Sequence, residues 1–269
     1  MSGGEKVIDI HCHILPAIDD GAKSLDEAIE MARIAQNEGI KIIVNTSHYN
    51  PRFEFKKGNE VLEELDRFNK VLKDYNIDLE VIAGNEVYCT TDIIQIIENK
   101  EFFTINNSRY ILLEFSHMGL PKNISDIIYE IKLRGYTVIL AHIERYIEVQ
   151  KKPNVVYDYI KEGALIQINA SSIMGKNGKG AKYVCDTLLD NNMVHVVGTD
   201  AHSSTRRRPL IKDVYNHVAH VYGINRANKI FNDNAKKIIN NQELIIEIQE
   251  PSDNNVSFFK KIYKKLRGE

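Results

Sequence analysis

The sequence is short of cysteine, of net charge and of long apolar runs, and each shortage excludes something. Cys12, Cys89 and Cys185 are odd in number and widely scattered, which rules out a disulfide framework and predicts a reducing cytoplasm. Lys and Arg total 35 against 37 Asp and Glu, a formal net charge of −2. Affinity built on phosphate neutralisation is therefore excluded, and no nucleic-acid partner is expected. No apolar stretch approaches the roughly 20 residues that cross a bilayer. The opening MSGGEKVIDIH has no apolar signal core, so no export is predicted. What remains is 269 residues, 43% apolar, enough for a sizeable core and a normal length for one α/β barrel.

Seven short runs rich in β-branched residues read as strands: KVIDIH (6–11), IKIIVNTSH (40–48), LEVIAGNEVY (79–88), RYILLEFS (109–116), YTVILAHIE (136–144), ALIQINAS (164–171) and MVHVVGTDAH (193–202). Several are almost continuously apolar, as strands covered on both faces must be. Helical patterns separate them. Residues 24–39 put Leu25, Ile29, Ala32 and Ala35 on one face, with Ser24 and Glu27 as a capping box and Gly39 as the stop. Residues 58–76 repeat the pattern with Val61, Leu65, Phe68 and Leu72, and 125–135 and 181–192 follow. Alternating strand and helix predicts a parallel sheet with right-handed crossovers, either a closed or nearly closed barrel or an open doubly wound sheet. No repeat or linker divides residues 1–250, where helical patterns persist to about 243. The basic tail 251–269 ends with Phe258, Phe259, Ile262, Tyr263 and Leu266 at helical spacing. A tail helix packed on the barrel, or a frayed end, is the favoured reading. The sharper one is weak contact with anionic lipid or a partner.

Polar residues collect where these strands end. His11 and His13 close the first strand and His48 the second, while Glu86, Glu114 and His142 lie near the ends of the third to fifth. Asp200 and His202 close the seventh. The carboxyl ends of parallel barrel strands share one rim, where such folds keep their chemistry. Residues two apart on a strand point the same way, so His11 with His13, and Asp200 with His202, should each converge. Alternation turns Cys12 away into packing. A lone histidine is usually solvated or a satisfied core residue, but so many imidazoles and carboxylates on one rim would repel or protonate without added positive charge. Divalent cations supply it. Histidine and carboxylate without thiolate suit Mn, Fe or Zn, and the number of donors implies two or three ions with a bridging carboxylate. Metals clustered in this way are the usual equipment for attack on phosphorus by a metal-bound hydroxide.

DIHCH, DDG, TSH, GNE, LLEF, AHIER and GTDAH, in this order, resemble the polymerase and histidinol phosphatase (PHP) superfamily. IDIHCHILPAIDDGAKSLDEAIEMARIAQNEGI and LAHIERY are similar to the bacterial capsular-polysaccharide protein-tyrosine phosphatases, the likeness running over about 7–215. The resemblance implies a distorted TIM-like (β/α)7 PHP barrel in the α/β class with three divalent metal ions, usually Mn. It implies a hydrolase of capsule or exopolysaccharide synthesis, acting on phosphotyrosine of a bacterial tyrosine kinase, membrane contact coming through that partner. Carried over by position, the first ion takes His11, His13, Glu86 and Asp200. Glu86 bridges to a second ion with Glu114 and His142, and a third takes Asp20, His48 and His202. The motif match selects Asp20 over Asp19, leaving Asp19 a neighbour or a group that supports a ligand from behind. Asp9 either orients an imidazole or is a buried structural residue.

Arg145 of AHIERY and Arg207 of DAHSSTRRRP fit the same pattern as phosphate-binding forks. The family has arginine then proline there; Arg206, Arg207 and Arg208 before Pro209 leave the register open, with Arg206 and Arg208 read individually as solvated turn residues. His117, His195, His217 and His220 carry no assigned role. The chemistry implied is in-line attack on a phosphomonoester by a metal-bridging hydroxide. A cysteine-dependent phosphatase needs arginine six positions after its cysteine; Ile18, Gln95 and Asn191 stand there, which excludes that route. GKNGKG (175–180) lacks P-loop spacing and reads as a surface loop. Histidinol-phosphate phosphatase, other PHP phosphoesterases and a non-catalytic module binding the kinase remain as alternatives.

Overall fold

Val7–Cys12 (β1) is buried at every position, as a strand packed on both sides should be. The structure is a computed structural model that describes residues 7–116, 119–245 and 250. Ile40–Asn45 (β2) continues past Thr46 and Ser47 into His48–Tyr49 (β3). Glu80–Ala83 (β4) likewise continues past Gly84 and Asn85 into Glu86–Tyr88 (β5). The runs 40–48 and 79–88, each expected as one strand, are thus two segments apiece. Gly84 shows why the break is tight: a Cβ there would lie 2.7 Å from Val44 Cγ1.

Tyr110–Glu114 (β6), Thr137–Leu140 (β7), Leu165–Asn169 (β8) and Val196–Gly198 (β9) follow. The pairs run β1-β2-β4 and β3-β5-β6-β7-β8-β9, all parallel. With the interrupted lanes joined, the described residues give seven lanes. A parallel bridge between Cys12 and Ala201 brings the last lane back to the first. The sheet therefore curls into a distorted barrel rather than the open doubly wound alternative.

Alternation along the lanes divides the core in two. Ile111 and Leu113 of β6 and Val138 and Leu140 of β7 face outward to the helices. Tyr110, Leu112, Ile139 and Leu165 join Ile8, Ile10, Val44 and Val196 in the barrel interior. Ala235, Ile238, Ile239 and Leu244 pack on that interior cluster from the amino ends of the strands. Tyr110 Oη donates to Gln242 O at 2.7 Å and ties this plug down. The bottom of the barrel is therefore stoppered by apolar side chains, which leaves chemistry to the other end.

Helices cover the outside. In Leu25–Asn37 the Ser24 Oγ accepts from Glu27 N at 3.2 Å, while Glu27 Oε2 accepts from Lys23 N at 3.0 Å, one residue before the position a capping box uses. Asn59–Asp74 buries Val61, Leu65, Phe68 and Leu72, the face its spacing implies. Residues 175–180 form an exposed turn leading into the helix Lys179–Asp190, with no phosphate-cradling loop. The expectations for His117 and for the tail 251–269 lie outside the described residues. Among the described residues no helix is long and apolar enough to cross a membrane.

Candidate metal centre

At the carboxyl end of the barrel one buried carboxylate gathers four imidazoles. Glu86 Oε2 lies 3.3 Å from His11 Nε2, from His13 Nε2 and from His48 Nδ1. Its Oε1 lies 2.8 Å from His142 Nε2. Glu114 stands beside them, 3.5 Å from His142 Nε2 and 3.7 Å from His48 Nδ1. Asp200 Oδ1 is 3.5 Å from His11 Nε2 and 3.6 Å from His202 Nδ1. Asp20 Oδ1 completes the cluster, 3.4 Å from His48 Nε2 and 3.6 Å from His202 Nε2. All nine donors expected at the rim come together here. Their ligand atoms fall within 4.8 Å of one another in four overlapping sets: His11/Glu86/His142, His11/His13/Asp200, His48/Glu86/Glu114 and His13/Asp20/His48/His202. His11, His13 and His48 are therefore each shared between two sets, more widely than the simple threefold division implies.

Convergence does not come from strand alternation alone. The β1–β2 register shifts between Asp9 and Cys12, and this irregularity turns His11 and His13 toward the centre while Cys12 packs in the outer core. β7 ends at Leu140 and β9 at Gly198, so the runs 136–144 and 193–202 are shorter strands than expected. His142, at φ 32°, and Asp200, at φ 52°, adopt the left-handed conformation that side chains resist. Hydrogen bonds from His142 N to Gln167 Oε1 (2.6 Å) and from Asp200 N to His11 O (2.8 Å) hold them there. Two glycines permit the approach. A Cβ on Gly198 would sit 2.6 Å from His11 Cβ, and one on Gly21 would sit 2.4 Å from His13 O.

Supporting groups select which ring nitrogens point inward. Gln167 Oε1 accepts from His142 N, an obligate donor, and lies 3.1 Å from His11 Nδ1. An amide oxygen only accepts, so His11 carries its proton on Nδ1 and leaves Nε2 as a donor to a cation. Gln167 Nε2 donates to Asn169 Oδ1 (2.9 Å), and Asn169 Nδ2 donates to Asp200 Oδ2 (2.7 Å). Behind them Glu144 Oε1 accepts from Asn169 N (3.1 Å) and Ser172 Oγ (2.6 Å). Asp19 Oδ2 lies 2.7 Å from His13 Nδ1 and accepts from His48 N at 2.8 Å, orienting His13 as Gln167 orients His11. Asp9 differs from its imidazole-orienting reading. It accepts from Thr199 N and Oγ1 (2.9 and 2.5 Å) and from His11 N (3.2 Å), which makes it a buried tie between β1 and the end of β9.

Gln167 and Asn169 escaped the sequence reading. Their signal was two amides spaced two apart in ALIQINAS, an otherwise apolar strand; with inner-face alternation that pattern marks polar work at the rim.

The electrostatics are those of a cage held together by protons. Burial opposes a charged His142, but Glu86 and Glu114 outweigh it and push the ring up to about 10. His13 rises for the same kind of reason, burial being overcome by Asp19 and Glu86. Burial would raise Glu86 and Asp200, yet neighbouring imidazoles and, for Asp200, Arg207 drive both well below the carboxylate range. His202 is pushed down by burial and by His13, whose ring centroid is only 3.8 Å away. Burial lifts Asp9 to about 6. A set of imidazoles and carboxylates without thiolate, most of them fully enclosed, is what Mn, Fe or Zn would fit, a cation taking the place of ring protons.

At one edge Arg145 Nη1 donates to Asp200 Oδ2 at 3.1 Å. Arg207 Nε donates to Asp200 O at 3.2 Å, and its Nη2 pairs with Asp200 Oδ1. Arg207 is thus the arginine of the three that reaches the centre. Arg206 and Arg208 line an adjoining cleft of about 710 Å³ that Arg145, Arg207, Asn169 and Asp200 share. The other described histidines lie elsewhere. His195 is buried and accepts from Ile166 N at 3.0 Å, and His217 and His220 sit part-exposed and exposed on the helix Lys212–Tyr222.

A family model described as capsular polysaccharide synthesis, CpsB/CapC, matches residues 7–240. The chain belongs to the CpsB/CapC family. Among its relatives, tyrosine-protein phosphatase YwqE of Bacillus subtilis (strain 168) is 32% identical over 245 residues, covering 91% of this chain and 96% of that protein. Putative tyrosine-protein phosphatase CapC of Staphylococcus aureus is 37% identical over 213 residues, covering 78% and 82%. A solved structure from work on YwqE and Streptococcus pneumoniae CpsB, described as unique metal-dependent tyrosine phosphatases, superposes with a TM-score of 0.86 at 32% identity. It covers 92% of this CpsB/CapC chain and 100% of that one, so the two share one α/β barrel fold.

Proposed function

We propose that this chain is a divalent-metal-dependent protein-tyrosine phosphatase of capsule or exopolysaccharide synthesis, working in the cytoplasm on phosphotyrosines of a bacterial tyrosine autokinase. The observation that carries the reading is the convergence of nine imidazole and carboxylate donors with two guanidinium groups at their edge. His11, His13, Glu86 and Asp200 would hold one ion, Glu86, Glu114 and His142 a second, and Asp20, His48 and His202 a third, with Mn the preferred metal. Bound ions supply Lewis acidity toward the phosphate and acidify water enough to attack phosphorus at neutral pH.

The chain's own groups do the rest. Asp19 and Gln167 keep Nε2 of His13 and His11 aimed inward. Arg145 and Arg207 have N–H groups beyond those on Asp200 and can fork onto phosphate oxygens, steadying charge as the P–O bond breaks. A phenol with a parent pKa of about 10 leaves without strong acid assistance, so no dedicated general acid is required. An aryl substrate also has somewhere to lie. Phe55 stacks on His48 (centroids 5.8 Å apart), and Phe53, 60% exposed, stacks on Phe55 (5.4 Å). This aromatic ladder leads outward from the metal centre and offers the phenyl ring of a phosphotyrosine a face to stack on.

Phosphotyrosine peptide and histidinol phosphate are to be compared with and without added Mn²⁺. Metal-dependent turnover of the peptide, with little of histidinol phosphate, is expected. Preference for histidinol phosphate would replace this reading, and activity surviving chelation would overturn the role of metal.

A further inference from the structure

The cleft beside Asp200 carries more positive charge than a phosphate alone requires. Five cations line it, Arg145, Arg206, Arg207, Arg208 and Lys176, against the three carboxylates Glu38, Asp200 and Asp213. Arg145 and Arg207 are engaged with Asp200. Glu38 Oε2 accepts from Ile211 N (2.9 Å) and Lys212 N (2.8 Å). Arg206, Arg208 and Lys176 are exposed and form no ion pair among the described residues. This surplus sits on a chain whose overall formal charge is −2, so it is local.

Both turns that carry these cations are fixed. His202 N and Ser203 N donate to Arg207 O (2.8 and 3.1 Å), and Ser203 Oγ accepts from Arg206 N and Arg207 N (3.1 Å each). Across the cleft Lys176 N donates to Ser171 O at 3.0 Å, and Asn177 Nδ2 donates to Ser171 Oγ (2.9 Å) and Ser172 Oγ (2.8 Å). Three neighbouring arginines in a solvated turn would fan apart freely. Here the backbone beneath them is tied to the centre itself.

We infer that this cleft reads acidic residues flanking the phosphotyrosine, with Arg206, Arg208 and Lys176 as the specificity-determining cations; the inference rests on the phosphatase reading above and deepens it. Charge complementarity identifies the occupant: a peptide with Asp or Glu beside the phosphorylated tyrosine supplies the anions these side chains lack. Because the contacts are exposed, they act on substrate capture more than on the chemical step, and salt screens them.

The test uses the full-length, Mn-loaded chain with three substrates: p-nitrophenyl phosphate, a phosphotyrosine peptide with Asp and Glu flanks, and the same peptide with Asn and Gln instead. Wild type should favour the acidic peptide by about fivefold in kcat/KM, mostly through KM. The preference should fall to about one in the R206A/R208A double variant and reverse in R206E/R208E. Turnover of p-nitrophenyl phosphate should remain at the wild-type level in both, showing that the fold and the metal centre are intact. Raising salt to about 0.5 M should erase the wild-type preference. Equal kcat/KM for both peptides in wild type, with p-nitrophenyl phosphate hydrolysed, would overturn this inference alone. No hydrolysis of any of the three would overturn the phosphatase reading and this inference with it. A preference unchanged in R206A/R208A would remove these arginines from it.

Discussion

Gln167 shows how much one neutral side chain can decide. Its amide oxygen sets the tautomer of His11 on β1 and braces the backbone of His142 just after β7, two residues of the centre far apart in sequence. Gln167→Leu removes both contacts with little change of volume. Metal affinity measured by calorimetry should fall about 10- to 100-fold, as when hydrogen-bond partners behind metal ligands are removed elsewhere. A variant that binds Mn²⁺ as tightly as wild type would leave Gln167 a packing residue. The imidazoles supply a second prediction. With His142 raised to about 10 and His13 raised as well, both rings are protonated near pH 7 when no cation is bound. A cation needs them neutral, so loading must release protons, and affinity must weaken as pH falls. Titrations in buffers of different ionisation enthalpy should report net proton release; none at pH 7 would contradict the proton-filled cage.

Among the elements, the ends of β1 and β9 matter most, because their backbones meet at the centre. Thr199 is held by Asp9, Asp200 N by His11 O, and Gly198 leaves room for the His11 side chain. Gly198→Ala would place its Cβ 2.6 Å from His11 Cβ, closer than real atoms approach, so one strand must shift. Overpacking of this kind costs about 1–3 kcal/mol. Thermal unfolding should show that loss, and metal content should fall with it because His11 is what moves. An alanine variant with wild-type melting and full metal content would show that the junction is slack.

In the molecule as a whole, one strongly shifted group lies away from the metal centre. His195 lies near the apolar plug, away from the centre, and burial with nearby Arg226 and Lys229 lowers it from 6.5 to about 3. Its folded pKa is below the unfolded one, so the unfolded chain binds the extra proton between those values. Its contribution is present above about 6.5 and is lost progressively as pH falls toward about 3. With metal left out of both samples, stability of wild type should therefore fall more steeply over that window than stability of His195→Asn. The difference in slope approaches about 1.4 kcal/mol per pH unit, the contribution of one proton. Identical slopes would mean that His195 is solvated when folded.

How far the sequence could be read depended on the range of each contact. Val61, Leu65, Phe68 and Leu72 announced a buried helical face because residues three and four apart must share one side. The strand and helix order, and the kinds of donor that end each strand, were legible for the same local reason. Local pattern could not say that the curl closes through Cys12 and Ala201, or that two lanes break before His48 and Glu86. Nor could it say that His142 and Asp200 sit in left-handed backbone, since neighbours elsewhere in the chain over-determine that conformation. Arg207 was separable from Arg206 and Arg208 only once the turn after β9 was folded onto Asp200. Gln167 meets His11 across 156 positions, and Asp9 meets Thr199 across 190. The sequence by itself determined the order of elements and the chemical character of the rim, because helical and strand periodicity act over a few residues. The tertiary structure alone decided which donors lie within reach of one another, which groups steady them and which of the three arginines meets Asp200, because those contacts form only when the barrel closes.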